Sequence, residues 1–149
     1  MSKLPIRARL VYEERIRILW SFLVRLPRKC VRCGYRGETV DGFDANHIIR
    51  RNAGSVKFVL ENGCCLCVPC HREFWHSTTP AGMKKAGEWI EEKFGKRLRE
   101  LEAVARQLAY HRDWRGTYDG LWAEVFKRKV EGEFRAYLER HSGTKKLWD

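Results

Sequence analysis

The sequence predicts an α+β fold that is mostly helical, and three observations carry that prediction. Long stretches on both sides of the chain's middle repeat apolar residues at helical spacing, with charged residues between them. Between those stretches, Glu38 to Leu60 alternates more nearly as strands and is punctuated by Asn52, Ala53 and Gly54. Two C-x-x-C pairs, Cys30 with Cys33 and Cys67 with Cys70, bracket the strand-like part. At 149 residues the chain has the usual size of one domain. It is expected to run as a single domain over 1–149, with a basic N-terminal helix in 1–29, a cysteine-stapled core in 30–79 and a helical extension in 80–149.

Residues 6–26 predict a helix, with Pro5 near its first turn and Pro27 ending it. Leu10, Ile16, Leu19, Trp20, Leu23 and Leu26 form its apolar stripe, while Arg7, Arg9, Arg15, Arg17 and Arg25 are either solvated or placed to line a phosphate backbone. Glu38 to Ile49 reads as a first strand and Val56 to Leu60 as a second, with Asn62 and Gly63 in a tight turn. From His71 the residue types turn helical. Pro80 suits the first position of a further helix, whose face of Ala86, Trp89, Ile90 and Phe94 is expected to end at Gly95. Leu98, Leu101, Val104, Ala105 and Leu108 then mark another helix. After a break over Arg112 to Thr117, a last helix runs from about Tyr118 to His141, carrying Trp122, Phe126, Val130, Phe134 and Tyr137. These stripes read as core or subunit contacts, and the tail from Ser142 is expected to fray.

Thirty Lys and Arg against nineteen Asp and Glu give a formal charge of +11, which favours a polyanionic partner. Six Trp, seven Phe and five Tyr argue against disorder despite 33% charged residues. No run approaches the roughly 20 apolar residues of a membrane span. The N-terminus MSKLPIRARLVYEERIRILW has neither an apolar core nor a cleavage site for secretion, so a cytoplasmic location and reduced cysteines are expected.

In that setting a C-x-x-C pair more often binds metal than closes a disulfide. CVRCGYRG, from Cys30, reads as a metal knuckle, because glycine after the pair lets the backbone wrap round sulfur and donate N–H bonds to it. Cys30, Cys33, Cys67 and Cys70 are therefore expected to close a tetrahedral Zn²⁺ site, one per chain and structural rather than catalytic. With zinc held by four thiolates the net charge falls only to about +9. Cys64 also stands in C-x-x-C spacing with Cys67, but Cys64 and Cys65 lie in an apolar run where free cysteine behaves as a small hydrophobe.

The stretch DANHIIRRNAGSVKFVLENGCCLCVPCHREFWH, Asp44 to His76, combines DANHIIRR, Asn62 and the spacing N-x4-C-x2-C-H that ends at His71. These residues resemble the HNH, or His-Me finger, endonucleases in their zinc-bearing treble-clef form. The resemblance covers Cys30 to about His76, and the trailing WH with GEWIEEKFG and RLRELE is most similar to phage recombination nucleases of the NinG/Rap type. It implies a ββα-metal site in which His47 is the general base and His71 a ligand of a catalytic divalent ion, Mg²⁺ or Mn²⁺. Asn62 would brace the loop that carries the base, since its amide both donates and accepts.

The second catalytic ligand stays open between Asp44 and Asn46, which strand alternation puts on one face. Alignment favours Asn46, whereas a carboxylate is the stronger ligand for a hard cation and favours Asp44. His76 is five residues beyond His71, about 140° round a regular helix, and ranks as a surface histidine with a lesser claim on the ion or a phosphate. Arg50, Arg51, Lys57 and Arg72 are expected to hold DNA by its phosphates, contacts that position without reading sequence. Phe74 and Trp75 are expected to pack in the core rather than stack on a base.

The resulting expectation is a metal-dependent DNA endonuclease acting on duplex, nicked or branched DNA such as a Holliday junction. The alternative is a zinc-containing DNA-binding or recombination accessory protein with a degenerate site. The flanking apolar helices suggest a homodimer, which would supply two sites for paired cuts.

Overall fold

The structure is a computed structural model that describes residues 6–49, 56–107 and 113–148. It is mostly helical, with one small two-stranded sheet. The described residues fall into two compact units, one made of those up to Leu23 with those from Asp113 onward, the other running from Val24 to Gln107. Among the described residues no helix is long and apolar enough to cross a membrane.

In the first unit, α1 spans Ile6–Arg25, its last two residues belonging to the second unit. Ile16, Leu19, Trp20 and Leu23 of the expected stripe are buried, but Leu10 is 60% exposed. Helices α3 (Trp114–Lys127) and α4 (Glu131–Arg140) replace the single last helix that periodicity predicted. The start comes earlier because Asp113 caps it, its carboxylate accepting from the Gly116 N–H at 2.9 Å. The break comes at Lys129, which sits at φ 57° while the N–H groups of Lys129 and Val130 donate back to Phe126 and Val125. That is a Schellman ending with lysine where glycine usually stands, so composition carried no sign of it.

Phe134 centres this unit's aromatic core, with Phe22, Trp122 and Trp148 set edge-on at 5.0, 5.3 and 5.6 Å. The tail does not fray as expected. It forms α5 (Ser142–Lys145) and a tight turn over Lys146–Trp148, held where the Arg15 guanidinium donates to the Leu147 carbonyl at 2.5 Å.

In the second unit, strands β1 (Phe43–His47) and β2 (Gly63–Cys67) pair antiparallel, Phe43 opposite Cys67 and His47 opposite Gly63. The sequence placed the second strand at Val56 to Leu60, and this is corrected: those residues form helical turns instead. Their apolar side chains are needed for burial, Val56 and Phe58 being in the core. Their backbone bonds close locally, however, from Val59 N–H to the Val56 carbonyl and from Asn62 N–H to the Val59 carbonyl. β1 is likewise shorter than predicted, because Val40–Gly42 is a 3₁₀ turn capped by the Thr39 hydroxyl.

After β2, Cys70–Trp75 forms a π-helical turn, and α2 follows as one continuous helix, Pro80–Gln107. Gly95 does not end it. The Glu91 and Arg99 side chains meet across Gly95 at 2.5 Å, and a Cβ there would stand 2.6 Å from the Glu91 carboxylate. Glycine thus makes room for an ion pair two turns apart.

Candidate metal centre and active site

The cysteine knuckle starts from backbone geometry. Cys30 N–H donates to the Tyr35 carbonyl, Gly34 N–H donates to the Cys30 carbonyl, and Gly34 takes φ 81°, a conformation that favours glycine. The Val31 N–H donates to the Cys65 carbonyl at 2.9 Å, which ties the knuckle to β2 and so to the second cysteine pair. Cys30, Cys33, Cys67 and Cys70 converge with their sulfurs all within 4.8 Å of one another. A tetrahedral zinc with Zn–S bonds near 2.3 Å needs its sulfurs about 3.8 Å apart. Cys33 and Cys67 are at 3.6 Å, so the donor set fits a metal ion such as zinc.

Electrostatics set Cys30 apart from the other buried sulfurs. Burial would push the Cys30 thiol up, but N–H groups of Cys33, Cys67 and Arg32 donate to it and bring it down to about 6. Burial, with the neighbouring sulfurs, pushes Cys67 up to about 12 and raises Cys70. A bound cation would favour the thiolate at each. Cys64 and Cys65 lie outside the cluster, and burial pushes them up to about 12 and about 11. They are neutral core thiols.

The knuckle leads straight into His71, which follows Cys70 in the π-helical turn. Its Nδ1 lies 2.9 Å from Oδ2 of Asp44 on β1, with both side chains partly exposed. Two ligands at right angles on an octahedral cation with bonds near 2.1 Å would also stand about 3.0 Å apart. Asn46 shares a face with Asp44 by alternation, but it is buried and its amide is directed to the Cys64 sulfur at 3.9 Å. Geometry therefore brings Asp44 and not Asn46 to His71.

His47 ends β1 opposite Gly63, with its Nε2 buried and its ring edge-on to Phe58 at 6.3 Å. Ile48 and Ile49, which follow it, are tied to Asn62, which is fully buried. The Asn62 amide oxygen accepts from the Ile49 N–H at 2.7 Å, and its nitrogen donates to the Ile49 and Val56 carbonyls at 3.4 and 3.1 Å.

His76 departs from the regular-helix expectation. The turn is π-helical, with the His76 N–H donating to the His71 carbonyl five residues back. That wider turn brings the two imidazoles onto one side, their centroids 4.8 Å apart. Arg72 is exposed on the same turn, and Lys57 lies over the Phe58 ring at 5.1 Å. Arg50 and Arg51 lie outside the described residues. Trp75 is half-buried and packs against the core and Trp89, whereas Phe74, also half-buried, packs edge-on to Trp89 with Arg32 over its ring.

No protein-family model, curated protein or solved structure matches the chain.

Sequence reasoning missed Arg32. Its guanidinium donates to the Cys70 sulfur at 3.3 Å and lies over the Phe74 ring at 3.5 Å, bridging the first knuckle to the turn that carries His71. The signal was its place between the cysteines of the first pair, where a cation meets thiolate charge.

Proposed function

We propose that the chain is a metal-dependent DNA endonuclease of the HNH (His-Me finger) type, built on a treble-clef zinc site. The observation that carries this reading is the 2.9 Å approach of Asp44 to His71, made from β1, whose partner strand β2 carries Cys67, and from the turn that Cys70 begins. Asp44 and His71 would hold Mg²⁺ or Mn²⁺. Bound there, the ion supplies Lewis-acid polarisation of the scissile phosphate and neutralises charge on the leaving oxygen. His47 takes a proton from water as its oxygen bonds to phosphorus and the P–O3′ bond breaks, the departing O3′ taking a proton from solvent, so that 5′-phosphate and 3′-hydroxyl ends are left. Asn62 keeps the loop after His47 in place, and Arg72 and Lys57 hold the backbone by charge. Branched DNA such as a four-way junction is the substrate class that the NinG/Rap resemblance suggests.

One observation favours a second reading, a non-catalytic zinc-containing DNA-binding or recombination accessory protein. His47 Nε2 is buried, and a general base has to meet the water it deprotonates. Cleavage of linear, nicked and four-way-junction DNA with Mg²⁺ or Mn²⁺ separates the two. The nuclease reading expects cutting by wild type and its loss in His47→Ala, with DNA binding and zinc content retained. DNA shifted but never cut supports the accessory reading, and wild-type rates in His47→Ala remove His47 as the base.

A further inference from the structure

Behind the cysteine knuckle, β2 and α2 border an open cleft of about 710 Å³. Lys29, Arg32, Lys93 and Arg97 line it with no carboxylate among the lining residues, and the rest of the wall is apolar, glycine or cysteine. Arg32 also bridges the knuckle to the turn of His71, whereas Lys29, Lys93 and Arg97 have no part in the strand–helix site above. Lys93 and Arg97 stand four residues apart on α2, a like-charge spacing that destabilises an isolated helix. Elsewhere α2 pairs its charges, as in Lys84 with Glu88 and Arg99 with Glu91. Among the described residues neither Lys93 nor Arg97 forms an ion pair with a carboxylate; Arg97 instead lies over the Phe94 ring at 5.5 Å.

The plainest competing role for these cations is to offset the metal centre, since Cys30 and Cys33 belong to the same wall. Charge counting leaves a surplus. Four thiolates on zinc carry a net charge of about −2, so roughly two of the four positive charges remain uncompensated. A concave, carboxylate-free surface with surplus cations and apolar walls has the chemistry of a strand-binding groove, in which charge follows the backbone. Its volume is that of a small-ligand site, enough for a short stretch of one strand.

We infer that this cleft binds the phosphodiester backbone of a single DNA strand at a place separate from the Asp44–His71 site. The inference rests on the reading of the chain as a DNA-acting protein, but not on cleavage. A short fluorescein-labelled oligonucleotide, single-stranded or in duplex, is titrated by anisotropy without added divalent cation over a range of salt. Lys93→Glu/Arg97→Glu is compared with Lys85→Glu/Lys96→Glu, which makes the same charge change at exposed positions of α2 outside the cleft.

The cleft variant should lose at least about tenfold in single-strand affinity, and its salt dependence should flatten by about 1.4, two contacts at about 0.7 each. Duplex binding and zinc content should hold, and the control variant should bind the single strand nearly as wild type. Equal losses in the two variants, equal losses on single strand and duplex, or loss of zinc would overturn the inference. A wild type that cuts DNA while the cleft variant binds unchanged would overturn it and leave the nuclease reading standing. A wild type that binds through the cleft without cutting would do the reverse.

Discussion

At the scale of single residues, Asn62 shows how a side chain can be legible in sequence for the right reason. An asparagine before glycine suits a turn, yet an amide that both donates and accepts can also join two backbone segments, and the structure shows that use in its bonds to Ile49 and Val56. Asn62→Ala leaves the half-buried Ile49 groups and the buried Val56 carbonyl without these partners and should cost about 1–3 kcal/mol in urea unfolding. A change below about 0.5 kcal/mol would show that the amide is not holding the loop. The four clustered cysteines were legible by spacing, and Cys64 falls outside the cluster, as its place in an apolar, strand-like run suggested. The choice between Asp44 and Asn46 was not legible, since alternation gives both the same face. In the structure Asp44 meets His71, while Asn46 is buried with its amide turned to the Cys64 sulfur. Cys64 and Cys65, pushed up to about 12 and about 11 by burial, should resist iodoacetamide at neutral pH in the metal-loaded protein. Rapid labelling of either would contradict their place in the core.

At the scale of elements, helices were read well where an apolar stripe met a proline, and poorly where the Asp113 cap set the start or a backbone bond decided the ending. Gly95 looked like a terminus but is bridged by Glu91 and Arg99, while the real terminus at Lys129 carries no glycine. Lys129→Gly relieves a left-handed lysine and should stabilise the protein by about 0.5–1 kcal/mol, read as a higher urea midpoint. A lower midpoint would mean that the lysine side chain contributes more than the strain costs. The displaced second strand has a similar cause. Val56 to Leu60 has strand-like composition, but its backbone bonds close locally, and β1 pairs instead with Gly63–Cys67. The π-helical turn was illegible as well, because its wider winding leaves no mark on residue type. It is nevertheless what brings His76 beside His71.

At the scale of the whole molecule, the formal charge of +11 pointed to a polyanion, but composition could not say which surface meets it. A two-stranded sheet is marginal by itself, and the core around it is made largely of the cysteines, Phe43, Ile48, Leu66 and Phe94. A structural zinc worth about 10–16 kcal/mol would then decide whether the Val24 to Gln107 unit folds. Chelation should release one zinc per chain and abolish near-UV dichroism from Trp75 and Trp89, whereas unchanged spectra after metal removal would make the cluster dispensable. The central claim is that Asp44 and His71 together hold the cation that cleavage needs. Its most direct test is the rate of plasmid nicking in Mg²⁺ or Mn²⁺ by wild type, Asp44→Ala, His71→Ala and Asn46→Ala, each checked for zinc content. The account predicts cation-dependent nicking by wild type, a loss of at least about 100-fold in Asp44→Ala and His71→Ala, and a much smaller change in Asn46→Ala. Nicking by Asp44→Ala at the wild-type rate, or no nicking by wild type with any divalent cation, would contradict it.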